Sequence, residues 1–234
     1  MKSIRKAVGS RLDNQSIRDV FVQNELAMVH DGARLLDAGA GSQRYRDFCE
    51  HLDYVSQDFG SYSVDEKVTI VNVEGSATSE YRYGPIDIRG DIWDIASPDE
   101  SFDVILCTEV LEHIPYPIAT IEEFQRILKP GGKLILTVPS NCLRHFDPFF
   151  FTSGFSDRWF VRILDESGFE IQELIPVGDY YSWLAVEMAR TGGRHSWFAK
   201  AILAPAFVYF KLKKPTVESI DTLCMGYHVI AIKK

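Results

Sequence analysis

The sequence predicts an α/β fold, an open sheet doubly wound by helices, mostly parallel and finished by an antiparallel strand. Three observations carry that reading. Residues 33–36 are short and apolar, 53–57 carry Tyr54 and Val55, and 102–107 and 133–138 are rich in Val, Ile and Leu, as strands buried on both faces of a parallel sheet are. Between the last two lies a helix, 118–128, with Ile118, Ile121, Phe124, Ile127 and Leu128 on one face and a Pro130-Gly131 turn at its end. Strand, helix, strand is a right-handed crossover. The terminal segment 226–232 ends the chain, so it can enter as an antiparallel neighbour without a crossover.

The remaining elements follow in order. Over 18–30, Val20, Phe21, Ala27, Met28 and Val29 mark a helix that Asp31-Gly32 ends. A second helix, 156–167, begins at a Ser156 cap, presents Trp159, Phe160, Ile163 and Leu164 together and stops at Gly168, after which 169–175 reads as a strand. Two stretches resist assignment and are reserved for substrate recognition: 61–85, which holds a strand-like 68–73, and 180–218, too long for a simple connection. The chain is therefore read as a single domain over 1–234, with an N-terminal helical segment, 1–32, and an insertion, 180–218, before the last strand. That insertion includes 197–210, apolar except for Lys200 and followed by Lys211, Lys213 and Lys214. Its readings are a cover over the substrate pocket, a contact between subunits of a homodimer, or a helix lying at a membrane surface.

Composition narrows the function. With 25 Lys and Arg against 33 Asp and Glu, the net charge of −8 gives no general field for phosphates, which argues against nucleic acid and favours a small molecule. Cys49, Cys107, Cys142 and Cys224 form no C-x-x-C pair, so neither a zinc knuckle nor a disulfide framework is expected. The first 14 residues carry Lys2, Arg5, Lys6 and Arg11 without an apolar run, and the expected location is the cytoplasm, with peripheral contact at the inner membrane surface under the third reading of 197–210.

The chemistry concentrates after the first strand. In Leu35-Leu36-Asp37-Ala38-Gly39-Ala40-Gly41-Ser42-Gln43 the glycines stand where backbone must turn sharply and admit a cofactor, and Asp58, 19 residues after Gly39, is placed to accept hydrogen bonds from both ribose hydroxyls of an adenosine. A tight turn without ligand would use the same glycines. Nicotinamide and adenosylmethionine cofactors both carry that ribose. A dinucleotide loop wants a third glycine where Arg44 stands, and Asp37 suits a cationic, amine-bearing ligand better than a pyrophosphate, so the balance favours S-adenosyl-L-methionine.

At these residues the chain resembles the class I S-adenosylmethionine-dependent methyltransferases. The resemblance rests on Leu36-Asp37-Ala38-Gly39-Ala40-Gly41, on Ser101-Phe102-Asp103-Val104-Ile105-Leu106-Cys107-Thr108-Glu109-Val110-Leu111-Glu112-His113-Ile114, and on Arg126-Ile127-Leu128-Lys129-Pro130-Gly131-Gly132-Lys133. It covers 35–140 and implies a Rossmann-like, seven-stranded sheet. It also implies roles: Gly39 and Gly41 shape the methionine and ribose pocket, Asp58 holds the ribose, Asp91 the adenine amine, Ile92 or Trp93 its face, and Thr108 and Glu109 line the floor beside the methyl group. Many members carry a further glycine where Gln43 stands. Those with a polar residue there and a following Tyr-Arg, like Tyr45-Arg46, look like bacterial surface-glycan methyltransferases. For Asp91 a solvated turn carboxylate is the competing reading, for Trp93 a core position, and for Glu112 and His113 a surface pair.

Methyl transfer from a sulfonium is an in-line displacement, so a base is needed only when the acceptor loses a proton, and no metal is required. The loop Pro139-Ser140-Asn141-Cys142-Leu143-Arg144-His145-Phe146-Asp147-Pro148-Phe149-Phe150-Phe151 lies at the carboxyl edge of the sheet, where ligands bind. His145 is the first candidate base, with Asp147 to orient it, and His113 the second. A loop held together by its aromatics is the alternative. Histidine followed by Asp-Pro and aromatics also looks like the glycan members and points to O-methylation of a sugar hydroxyl. Two other functions fit the same sheet: an NAD(P)-dependent oxidoreductase, and a non-catalytic partner protein that keeps the methyltransferase fold.

Overall fold

The computed structural model describes residues 13–60, 84–146, 148–194 and 197–234. Seven strands form one sheet: β1 (Arg34–Ala38), β2 (Asp53–Asp58), β3 (Ile88–Arg89), β4 (Phe102–Thr108), β5 (Leu128–Pro139), β6 (Phe169–Val177) and β7 (Gly226–Lys233). Their order is β3-β2-β1-β4-β5-β7-β6, with β7 antiparallel to both β5 and β6 and the other pairs parallel. The order in which the chain lays down strands across the sheet reverses between β1 and β4. A crevice opens at the carboxyl ends of the strands at such a point.

Neighbouring side chains on a strand face opposite sides, and the core divides accordingly. Leu36, Ile105, Leu134 and Leu136 point to the side covered by helices α2 (Pro117–Ile127) and α3 (Asp157–Glu166), which contribute Ile121, Phe124 and Phe160. Leu35, Leu106 and Ile135 point to the other, where α1 (Asn14–Ala27) lays down Phe21, Val22 and Leu26. Buried Glu25 of α1 reaches Lys133 of β5 at 3.2 Å, fixing the helix to the sheet.

Several boundaries differ from the sequence expectation for local reasons. The first helix starts at Asn14 rather than 18, because the Asp13 carboxylate accepts from Ser16 N at 3.0 Å and caps it. It ends three residues before 30. Pro130-Gly131 is not a free turn but an irregularity at the start of β5, across which the pairing with β4 shifts register. The third strand is the two-residue β3; the strand-like 68–73 lies outside the described residues, as does the segment 1–12. Ser156 does cap α3, accepting from Trp159 N.

The insertion folds into helices α4 (Tyr180–Arg194), α5 (Trp197–Leu212) and α6 (Val217–Thr222). It leaves from the end of β6 and returns to the start of β7, where Val177 and Pro139 both pair with Gly226. That is the carboxyl edge of β5, the same edge as the crevice. Buried Asp179 anchors it, accepting from Ser182 N at 3.0 Å and from Ser219 Oγ at 2.9 Å, so the start of α4 is tied to α6.

Candidate functional site

A cavity of about 530 Å³ occupies the crevice. Its wall includes Gly39, Asp58, Asp91, Ile92, Trp93, Thr108, Glu109, His113 and His145, so nine of the eleven residues singled out from the sequence meet around one space. The other two, Asp37 and Gly41, stand behind the wall. Asp37 is 3% exposed, and its carboxylate accepts from Tyr54 Oη at 2.6 Å. Burial pushes its carboxyl up to about 6 against that hydrogen bond. Its partner in the structure is thus a tyrosine hydroxyl in place of the expected ligand amine.

The loop after β1 is built from positive-φ backbone at Gly39 (71°), Gly41 (50°) and Gln43 (58°). Gly39 is also required by packing, since a Cβ there would lie 2.6 Å from Val110 Cγ2. Gln43 shows how the loop manages without a further glycine: it takes the left-handed conformation itself, donates from Nε2 to Pro85 O at 2.5 Å and accepts from Arg46 Nη1 at 2.7 Å. Behind the loop Gly41 N donates to Asp58 Oδ2 at 2.9 Å, and Gly60 N to Oδ1 at 3.2 Å. These bonds hold the carboxylate at the cavity wall. Burial raises the Asp58 carboxyl, against the backbone amides of Gly41, Gly60 and Phe59, which lower it. Trp93 stands edge-on to Tyr116, ring centroids 5.2 Å apart, so it serves both the cavity wall and the neighbouring packing.

Opposite the loop, Glu109 also has positive φ, 54°, and its N–H donates to Thr137 O at 2.8 Å. Its carboxylate is met by Arg18 Nη1 of α1 at 2.9 Å. Arg18 was not among the sequence candidates. It shares a helix face with Phe21, Val22 and Glu25, and a charged residue on an otherwise buried stripe is a signal that could have found it. Arg44 joins α1 as well, through Nε to Asp19 Oδ1 at 2.9 Å, with Tyr45 Oη on the same oxygen at 2.9 Å.

Another part of the cavity wall is made by Leu111–His113 and the loop after β5. Phe151 N and Thr152 N both donate to Glu112 O, which straps the loop over this turn. His113 donates from Nδ1 to Phe149 O at 2.5 Å and stands edge-on to His145, centroids 4.7 Å apart. Burial lowers His113 to about 4, so it is neutral near pH 7. His145 donates from Nδ1 to Leu143 O at 2.8 Å, which leaves Nε2 with the free lone pair. The residue orienting His145 is therefore a backbone carbonyl; Asp147, expected in that role, lies outside the described residues. Glu112 is 1% exposed with Oε2 lacking a partner, and burial raises its carboxyl well above the ordinary value. It is not the surface carboxylate of the competing reading. The ligand atoms of Glu112, His113 and His145 lie within 4.8 Å of one another, the one group among the described residues close enough to hold a metal ion.

A second cavity of about 660 Å³ adjoins the first and shares Ile114, Pro115 and Phe151 with it. Phe155, Trp159 and Tyr227 supply its aromatic surface and Ser140, Asp157 and Asp221 its polar groups. Among the described residues, none of α4 or α5 lines either cavity.

Comparison with known proteins agrees with this arrangement. A ubiquinone biosynthesis O-methyltransferase of Xanthomonas oryzae pv. oryzae is 29% identical over 157 residues, 65% of this chain, and the match spans 61% of that protein's length. Among solved structures, the [4+2]-cyclase SpnF overlays with a TM-score of 0.55 at 18% identity, covering 98% of this chain and 84% of that one. Phosphoethanolamine N-methyltransferase 2 of Haemonchus contortus, solved with S-adenosyl-L-methionine, overlays with a TM-score of 0.53 at 17% identity, covering 93% of this chain and 52% of that one. These overlays establish the shared fold, and one of them belongs to a cyclase. The family model described as a methyltransferase domain matches residues 15–174, from the helix that supplies Arg18 to the strand beyond the histidine loop, and the chain belongs to that family.

Proposed function

We propose that the protein is an S-adenosylmethionine-dependent methyltransferase that O-methylates a hydroxyl group of a small molecule. The observation that carries this reading is Asp58, a carboxylate held by two backbone amides at the wall of a cavity whose other walls are Gly39, Ile92, Trp93 and Glu109. That set suits an adenosine ribose and its base. It favours this cofactor over a nicotinamide dinucleotide, because Arg44, in the place of the third glycine, is engaged with Asp19. The chemistry supplied by bound S-adenosylmethionine is a methyl group on a positively charged sulfur.

The protein's own work is then to align, dry and deprotonate. The strap from Phe151 and Thr152 to Glu112 holds the aromatic loop against the site and limits water. His145 Nε2 takes the hydroxyl proton as the oxygen attacks, and the Leu143 carbonyl keeps the imidazole in the tautomer that can do so. His113, neutral and fixed on Phe149 O, supports the ring of His145 from its edge. The acceptor enters from the second cavity, whose aromatic and polar groups suit a ring bearing hydroxyls.

Two acceptor classes share these demands. The resemblance of 139–151 to glycan-modifying members supports a sugar hydroxyl; the name of the similar ubiquinone biosynthesis O-methyltransferases supports a hydroxyl on an intermediate of ubiquinone biosynthesis. Incubation with methyl-deuterated S-adenosylmethionine and panels of both, followed by mass spectrometry, tests the reading. A labelled methyl ether in one panel is expected. Binding of the cofactor with no labelled product in either would assign the chain to the non-catalytic partner class.

A further inference from the structure

Helix α5 is built inside out. No residue of it is buried. At 100° per residue its two faces separate cleanly. The side with Leu203, Phe207 and Phe210 is half-buried and turns toward α4, where Phe210 stacks on Tyr181 with centroids 6.4 Å apart. The opposite side presents Trp197, Phe198, Ile202, Val208, Tyr209 and Leu212 to solvent, with Trp197 79% and Leu212 75% exposed. Such a continuous apolar face marks an interaction site.

Charge identifies the occupant. Arg190 is paired with Glu187 at 2.7 Å, and beyond that pair residues 191–217 hold five Lys and Arg (Arg194, Lys200, Lys211, Lys213, Lys214) and no Asp or Glu, in a chain of net charge −8. Lys200 and Lys211 fall at the margin of the apolar face. The Lys213 ammonium lies over the Tyr209 ring, 5.0 Å from its centre, and that of Lys211 over the Phe207 ring at 5.7 Å, so the charges sit against the aromatics of this helix. Aromatic and aliphatic residues facing out with lysines at their border match the interface of a negatively charged bilayer. A symmetric contact with a second copy would instead bring two such lysine sets together. The helix lies along the surface and does not cross it: its 16 residues reach about 24 Å against a hydrocarbon core of about 30 Å, and no described helix is long and apolar enough to span.

We propose that the outer face of α5 docks on an anionic phospholipid surface. Because the hairpin leaves and rejoins the sheet at the carboxyl ends of β5 and β6, docking sets the edge that bears both cavities close to the membrane.

Co-sedimentation of the full chain tests this with vesicles of equal parts phosphatidylglycerol and phosphatidylcholine, and with phosphatidylcholine alone. Binding to the anionic vesicles, weakened by salt and absent with the neutral ones, is expected. Ile202→Asp, on the exposed face, should abolish it. Lys211→Gln with Lys214→Gln should weaken it roughly fivefold per lysine, a change that leaves the apolar face intact. Circular dichroism confirms that each variant is folded. Failure of the parent protein to sediment, or equal sedimentation of folded Ile202→Asp, overturns the proposal. A concentration-dependent dimer broken by Ile202→Asp, with no vesicle affinity, would assign the face to a second copy.

Discussion

The carboxyl ends of β1, β2 and β4 and the α4–α5 hairpin occupy the same edge of the sheet and are built by opposite rules. At the strand ends, left-handed backbone recurs at Gly39, Gly41, Gln43 and Glu109, and polar side chains have a partner distant in sequence: Asp58 is held by Gly41, Glu109 by Arg18, Gln43 by Pro85. In α5 the backbone is an uninterrupted helix through Pro205, no side chain is buried, and the contacts are ring against ring. Geometry that chemistry needs is over-determined; a surface that meets a fluid partner need only keep its apolar and charged residues on the right side. The two regions should therefore respond differently to substitution.

The largest expected effect lies in the over-determined region. His145→Ala should lower turnover by about 10² to 10⁴ while leaving cofactor affinity nearly unchanged, as measured by methyl-transfer rate and calorimetric titration. Equal activity in mutant and parent would remove His145 as the base and turn attention to His113. Next comes Arg18→Ala, which leaves the Glu109 carboxylate without its cation. With both groups partly exposed, the loss should be about 1–2 kcal/mol, between the solvent-exposed and fully buried cases, and cofactor affinity should fall roughly tenfold. Unchanged affinity would make the pair a tether of α1 alone.

A smaller effect is expected with pH. Burial lowers His113 to about 4 and His228, stacked on Phe21 at 4.4 Å, to about 3. The unfolded chain takes up these protons near the ordinary value of 6.5 and the folded chain only at those lower values, so the stability they support is complete above 6.5 and falls as pH drops through the window. His228→Phe should reduce the acid-side fall in Tm, by roughly 2–4 °C for each kcal/mol recovered. The same fall in parent and variant would place the acid sensitivity elsewhere. The smallest effect belongs to the hairpin: Ile202→Asp should leave cofactor affinity unchanged, and a loss there would mean that α5 is coupled to the crevice after all.

Much of the crevice is legible in the sequence because its signals are local. Gly39 and Gly41 announce a turn, and Asp58 follows at the spacing imposed by the β1–β2 connection, which holds only a short 3-10 turn at Arg46–Phe48; the apolar strands identify the sheet and the histidine loop follows β5 directly. What was not legible depends on tertiary placement. The ion pair of Arg18 with Glu109 exists only once α1 has docked on β5, and nothing local says that Glu112 is buried. The two residues of β3 are too few for a period. The helical insertion was visible as apolar sequence, yet its outer and inner faces are set by α4, and half of its apolar residues face solvent against the usual rule.

The central claim is that the cavity at the ends of β1, β2 and β4 holds S-adenosylmethionine through the Asp58 carboxylate. Isothermal titration of the parent protein and of Asp58→Ala with S-adenosylmethionine, and of the parent with NADH, tests it most directly. The account predicts saturable binding of S-adenosylmethionine, none of NADH, and a loss of tenfold or more in Asp58→Ala with the fold intact, since each charge-assisted hydrogen bond is worth about 1.5–3 kcal/mol. Unchanged affinity in folded Asp58→Ala, or preference for NADH, would contradict it.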